Sequence, residues 1–228
     1  VGEGDKILTI LTPEYGKIQA IAKGARSYKS KFRSGCQLFS FTSFEFSKRK
    51  DWLSVTYAEP VETFYDMRRS IESISLAAYF CDVLCEVATD AQDAADVLRL
   101  ALNTLFMLTK NDEYGKIKAV FELRLMTEIG FRPAIDACAV CGSEKDICFF
   151  SVYEGTVLCK NCIEEKNILK GTLLAMKHII SNPQGKIFSF RASSDVFFEL
   201  GSICENYLLT QIGRGFRSLG YYHEISSN

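Results

Sequence analysis

Between residues 138 and 162 the chain reads CAVCGSEKDICFFSVYEGTVLCKNC, a pattern that very few local folds can satisfy. Two Cys-x-x-Cys pairs, Cys138/Cys141 and Cys159/Cys162, stand 17 residues apart, within the range of a tetrahedral thiolate site. Each pair can turn as a knuckle that sets two sulfurs on one side of a metal. Gly142 suits the sharp turn after the first pair, because a residue without Cβ tolerates positive φ. The run ICFFSVYEGTVLC can return the chain as a hairpin. Zinc held by Cys138, Cys141, Cys159 and Cys162 is the expected occupant, one ion per chain. Four thiolates leave no open position for water, so the site is expected to be structural and not hydrolytic. Cys148 falls between the pairs in the wrong register and reads as a hairpin side chain. The two histidines, His178 and His223, read as surface or packed imidazoles. The rival chemistry is dithiol redox, which needs a Cys-x-x-Cys at a helix N-terminus to depress one thiol.

Nine cysteines, an odd and sparse set in 228 residues, argue against a disulfide framework. Reduced thiols and metal ligands are expected instead, with Cys81 and Cys85 as small buried hydrophobes. No apolar run approaches the roughly 20 residues needed to span a bilayer, and the opening residues lack a basic-then-apolar signal pattern. No membrane association is expected, and the cytoplasm is the default location.

The net charge of −1 conceals an asymmetry. Residues 1–50 carry ten Lys/Arg against four Asp/Glu, a net of +6, whereas residues 51–137 carry a net of −7. The positives bunch in KGARSYKSKFR, with Lys23, Arg26, Lys29, Lys31 and Arg33, and in SKRKD, with Lys48, Arg49 and Lys50. Two such clusters in one small domain, interleaved with Tyr28 and Phe32, suggest a polyanion site, although a basic loop can also be merely solvated.

Hydropathy periods divide the chain. Residues 7–64 alternate apolar and polar residues over short runs: ILTILT, the turn PEYG, KIQAIAKG, then two runs on either side of SKRKD. Short antiparallel strands of this kind fit a small barrel of the oligonucleotide-binding (OB) type, which presents aromatic faces to bases and basic loops to phosphates. The chain opens at VGEGDK, so its first strand is expected to be absent. From about Asp66 the period becomes helical in RRSIESISLAAYFCDVLCEVA and QDAADVLRLALNTLFMLTK, the second capped by Thr89 or Asp90. A third helix is expected over about 114–129, ending at Gly130 and Pro133, with more in GTLLAMKHIISN and from about Ser194 to Ile212. The fold class is thus α+β. The expected divisions are a barrel domain at 1–65, a helical body at 66–137 and 166–228, and the cysteine module at 138–165 inserted between helices.

No Gly-x-Gly-x-x-Gly, Walker-type loop, His-Glu-x-x-His or Gly-x-Ser-x-Gly occurs. Asp90, Asp93 and Asp96 are spaced as a solvated helix face. With no nucleophile and base in view, a binding protein is expected, not an enzyme.

The order of these parts resembles the bacterial DNA repair and recombination family RecO over nearly the whole chain. The most specific pieces are TPEYGK…AKGAR…KS and GFRP…C..CG…C..C, followed by the terminal LLTQIGRGFRSLGYY. Glu154-Gly155 stands where the family often has paired glycines. The resemblance implies a non-enzymatic mediator that binds single- and double-stranded DNA and anneals complementary strands. It implies engagement of RecR and of the tail of single-stranded-DNA-binding protein, through an apolar, basic-rimmed pocket in the helical body, so that RecA can load. DNA contacts are then expected from Lys17, Lys23, Arg26, Tyr28, Lys29, Lys31, Phe32, Arg33, Lys48, Arg49 and Lys50. The competing class is a zinc-ribbon adaptor whose basic segment meets an acidic protein or RNA.

Overall fold

The computed structural model describes residues 2–49 and 52–226, Arg49 by its backbone alone. Four strands come first: β1 (Lys6–Thr12), β2 (Gly16–Ala22), β3 (Phe41–Arg49) and β4 (Trp52–Glu62). β1 and β2 form the expected hairpin, closed by Thr12, whose hydroxyl accepts from the Tyr15 amide and donates to the Gly16 carbonyl. Leu8 and Ile10 on β1 face the same side as Ala20 and Ala22 on β2, as the period of two requires. β3 and β4 pair antiparallel, with a bulge at Thr56 that puts Val55 and Ala58 on one face.

The strand order is β1-β2-β4-β3, and β2 meets β4 in parallel through only Ala20–Leu53 and Ile21–Ser54. The expectation of a barrel is corrected here. β1 and β3 are the two edges, and the described strands make an open sheet. β2 ends while β4 runs on, and the loop 23–40 fills the gap, contributing Ala25, Phe32 and Cys36 to a small core with Ala20, Ala22, Val55 and Ala58.

A 3-10 turn at Tyr65–Arg69 leads to the helices α1 (Ile71–Val87), α2 (Ala95–Lys110) and α3 (Tyr114–Glu128). Ser70 caps α1 by accepting from the Ser73 amide. Capping of α2 differs from expectation: the helix starts at Ala95 with Asp93 accepting from the Ala95 amide, and neither Thr89 nor Asp90 is its cap. The reason is tertiary. Residues 89–94 are drawn against the β1–β2 turn: Lys17 donates its amide to Thr89, Ala91 donates to Tyr15, Ala94 donates to Pro13, and Gly16 bridges Asp90. Gly16, at φ 60°, sits where a Cβ would lie 2.2 Å from the Thr89 carbonyl oxygen. This clasp fixes the sheet to the helices.

After α3 come β5 (Ala134–Cys138), β6 (Ile147–Ser151) and β7 (Thr156–Cys159) in the order β5-β7-β6, then α4 (Lys170–Ser181), α5 (Ser194–Ile212) and α6 (Arg217–Ser226). The cysteine-bearing sheet is thus inserted between helices, as the sequence implies. α3 is buried on all sides by its neighbours, with Ile117, Val120, Phe121, Leu123, Leu125 and Met126 in the main core. Arg124 on α3 stops α4, donating to the carbonyls of Ile179, Ile180 and Asn182.

α3 also carries charge into this core. Lys118 and Glu122, 4% and 0% exposed, pair at 2.9 Å; Lys118 reaches Glu205 of α5 at 2.6 Å, Tyr79 of α1 donates to Glu122 at 2.7 Å, and His223 of α6 meets Glu205. Four helices are joined by this network. Burial pushes the Glu122 carboxyl up against the opposing pull of Lys118 and Tyr79. For Lys118 burial acts downward, but the two carboxylates outweigh it and hold the ammonium up.

Candidate nucleic-acid interface and metal centre

The four cysteines converge because strand pairing returns the second knuckle onto the first. β6 and β7 form the expected hairpin, and β5 lies parallel to β7, so Cys138 ends one strand beside Val157 while Cys159 ends the neighbouring one. Gly142 turns at φ 73° and donates its amide to the Cys138 carbonyl. The four sulfurs lie within 4.8 Å of one another, with Cys141 and Cys159 3.5 Å apart. A tetrahedron with metal–sulfur bonds of about 2.3 Å has edges of about 3.8 Å, so the donor set fits such an ion.

The electrostatics agree. Amides of the knuckle, Cys141 first and then Cys159 and Val140, hold the Cys138 thiol down at about 6 despite some burial. Cys162, hydrogen-bonded to Cys141 and crowded by the other sulfurs, is pushed up to about 12. Four thiols this close resist ionising together until a cation is among them. Cys148 stays outside, its sulfur directed to the Glu165 carbonyl, and His178 packs on Phe190 while bonding Lys186 and Asn182. No helix begins at either pair, so the redox reading lacks the dipole it needs.

The module is seated by α5. Tyr207 donates to the Phe131 carbonyl at 3.0 Å and packs edge-on against Phe150, and Gln211 donates to the carbonyls of Val152 and Tyr153. Gly155, at φ 63°, passes so close that a Cβ would lie 2.7 Å from the Tyr207 hydroxyl. One glycine of the Glu154-Gly155 pair is therefore required by geometry.

The basic residues divide into two kinds. Lys23, Arg26, Lys29, Lys31, Arg33 and Lys48 are exposed. Among the described residues none of the six is in an ion pair; elsewhere the cations are mixed, with Arg69, Arg99, Lys116, Lys118, Arg124, Arg132, Lys160 and Arg214 paired to carboxylates and others such as Lys110, Lys177, Arg191 and Arg217 not. Arg26 bonds the Asp5 carbonyl and Lys31 the Thr56 carbonyl, which orders the loop without neutralising it. Lys29 lies over the ring of exposed Tyr28. Lys17 belongs to the clasp, donating its ammonium to the Cys85 carbonyl at 2.8 Å. Phe32 is 8% exposed and part of the small core, so its ring is closed to a base. Of the second cluster, Lys48 stands exposed on β3, the Arg49 side chain is not described, and Lys50 lies outside the described residues. Cys85, expected in the core, is exposed and Cys81 half-buried. The Lys118–Glu122–Glu205 network gave no readable signal, since a Lys and a Glu four apart look like a solvated pair.

No helix among the described residues is long and apolar enough to cross a membrane. The family model described as "Recombination protein O N terminal" matches residues 1–64, and "Recombination protein O C terminal" matches 68–220. The DNA repair protein RecO of Acetivibrio thermocellus is 36% identical, over 96% of this chain and 90% of the relative. Those of Alkaliphilus metalliredigens and Caldicellulosiruptor saccharolyticus are 31% and 28% identical, covering 96% and 98% of this chain and 92% and 93% of the relatives. The two models meet near the 3-10 turn, where the sheet gives way to the helices. The chain belongs to the RecO family of DNA repair proteins.

Proposed function

We propose that this protein is a non-enzymatic recombination mediator. It binds single- and double-stranded DNA through the sheet domain, residues 1–65, acting as an OB-like unit. It anneals complementary strands and, with RecR and the tail of single-stranded-DNA-binding protein, helps RecA load, in the cytoplasm at the nucleoid. The helical body, 66–137 and 166–228, serves the protein partners. The module at 138–165 holds one structural zinc through Cys138, Cys141, Cys159 and Cys162.

The observation that carries the reading is the exposed, carboxylate-free set Lys23, Arg26, Lys29, Lys31, Arg33 and Lys48 gathered on the sheet domain, where residues 1–50 carry a net charge of +6. Like charges confined to one loop repel, and a polyanion relieves that repulsion while releasing its own counterions. Phosphate contacts of this kind carry no sequence information, as annealing of arbitrary strands requires. The clasp fixes the sheet to the helical body, whose acidic first part, residues 66–137 with twelve Asp/Glu against eight Lys/Arg, is unsuited to DNA and is left free for protein partners.

The test is Lys29→Glu with Arg33→Glu, two positions whose side chains make no hydrogen bond to the fold. Binding should weaken for single and double strands alike, and the salt slope on single strands should shrink by roughly 1.4. Unchanged binding and slope would favour the adaptor reading.

A further inference from the structure

The basic loop beside β2 runs through three successive turns, in which the amides of Ser27, Ser30 and Arg33 donate to the carbonyls of Gly24, Ser27 and Ser30. Tyr28 stands at the first corner of the middle turn, and the Ser27 hydroxyl accepts from the Lys29 amide across it. The loop is held on both sides of that corner. Ala25 and Phe32 lie in the small core, Arg26 bonds the Asp5 carbonyl, and Lys31 bonds the Thr56 carbonyl. The Tyr28 ring is nevertheless 72% exposed, and the Lys29 ammonium lies over it, 5.5 Å from the centroid. A ring so exposed, with a cation against one face, leaves its other face open to a flat partner, and an attached cation beside that partner's phosphates.

We propose that Tyr28 stacks on an unpaired base of single-stranded DNA while Lys29, with Arg26, Lys31 and Arg33 of the same loop, holds the flanking phosphates. This rests on the DNA-binding reading above and adds to it the group that tells single strands from duplex. Other rings of the domain are differently placed. Phe32 has Lys31 over it but is buried. Tyr57 stands opposite Glu45 and bonds Glu59 through its hydroxyl, so its surroundings repel phosphate. Trp52, the only tryptophan of the chain, has no described cation against its ring. Tyr65 has Arg68 over it, but that guanidinium is spent on the carbonyls of Thr63 and Leu38. Stacking is indifferent to base identity because every base has a π-face, and it is closed to a duplex, whose bases already stack on each other.

Salt separates stacking from phosphate contact. Wild-type protein and variants are titrated against a labelled mixed-sequence single strand, an abasic strand of equal length and a duplex, with anisotropy read over a salt series. Tyr28→Ala should weaken single-strand binding about 5- to 150-fold, leave duplex and abasic binding as they were, and keep the salt slope, since no phosphate contact is lost. Tyr28→Phe should bind as the wild type does, because the ring and not the hydroxyl stacks. Tyr65→Ala should change none of the three. Undiminished single-strand binding in Tyr28→Ala, or equal loss on strand and duplex, overturns the stacking role and leaves the DNA-binding reading intact. Failure of the wild type to bind any of the three ligands overturns the DNA-binding reading itself.

Discussion

Gly16→Ala strikes the joint between sheet and helices without touching a basic residue. Gly16 has φ 60°, and an alanine there costs about 1–2 kcal/mol in backbone conformation alone. The added methyl would also sit 2.2 Å from the Thr89 oxygen and 3.0 Å from that of Gln92, both backbone atoms that move only if the 89–94 segment withdraws. Withdrawal breaks Lys17 amide to Thr89 and Ala91 amide to Tyr15, each worth about 0.5–1.5 kcal/mol net. The sum is about 2–5 kcal/mol. With a urea dependence of about 2 kcal/mol per molar, the midpoint should fall by about 1–2.5 M. Trp52 emission follows the sheet and far-ultraviolet circular dichroism follows the helices. In the wild type the two transitions should coincide; in Gly16→Ala the sheet should unfold first. A variant whose two curves overlay those of the wild type would refute the clasp as the coupling element.

Lys118→Met should cost about 3–5 kcal/mol by denaturant titration, since it leaves Glu122 buried without its cation and removes one partner of half-buried Glu205. The same network sets an acid limit. Burial acts upward on Glu205, but Lys118 and His223 bring its carboxyl below the ordinary 4.5, so the unfolded chain protonates first; the stability it contributes above that value should fade as pH drops through the lower, folded value, and Glu205→Gln should remove that part of the pH dependence. Metal removal by a chelator should loosen β5–β7 and their seat on Tyr207, seen as lost amide protection there, and should proceed more readily at low pH, where protons compete for the thiolates. Lys17→Ala should lower stability by denaturant titration, because its ammonium joins β2 to α1 through the Cys85 carbonyl.

What the sequence made legible followed the range of each signal. The cysteine cluster is local: knuckle spacing and a returning hairpin decide it, and the four cysteine sulfurs converge. α3 and α5 lie close to their expected spans because period and terminating Gly or Pro are local too. The failures are tertiary. Thr89 and Asp90 have the chemistry of caps, yet the β1–β2 turn recruits their backbone. Lys17 looks in sequence like Lys23, and its structural bond to α1 appears only when the Cys85 carbonyl is brought beside it. Phe32 sits among cations but plugs the gap left where β2 and β4 diverge, a gap that no period reveals. The open sheet, likewise, depends on which strands meet and not on how many there are.

The central claim is tested most directly by a salt series of fluorescence-anisotropy binding, with metal-assayed protein and mixed-sequence single and double strands. Six phosphates neutralised by Lys23, Arg26, Lys29, Lys31, Arg33 and Lys48 give a slope of log K against log salt of roughly −4 on single strands. The account expects that slope, indifference to sequence and about one zinc per chain. A slope near zero, or no binding at low salt with the metal in place, would contradict it.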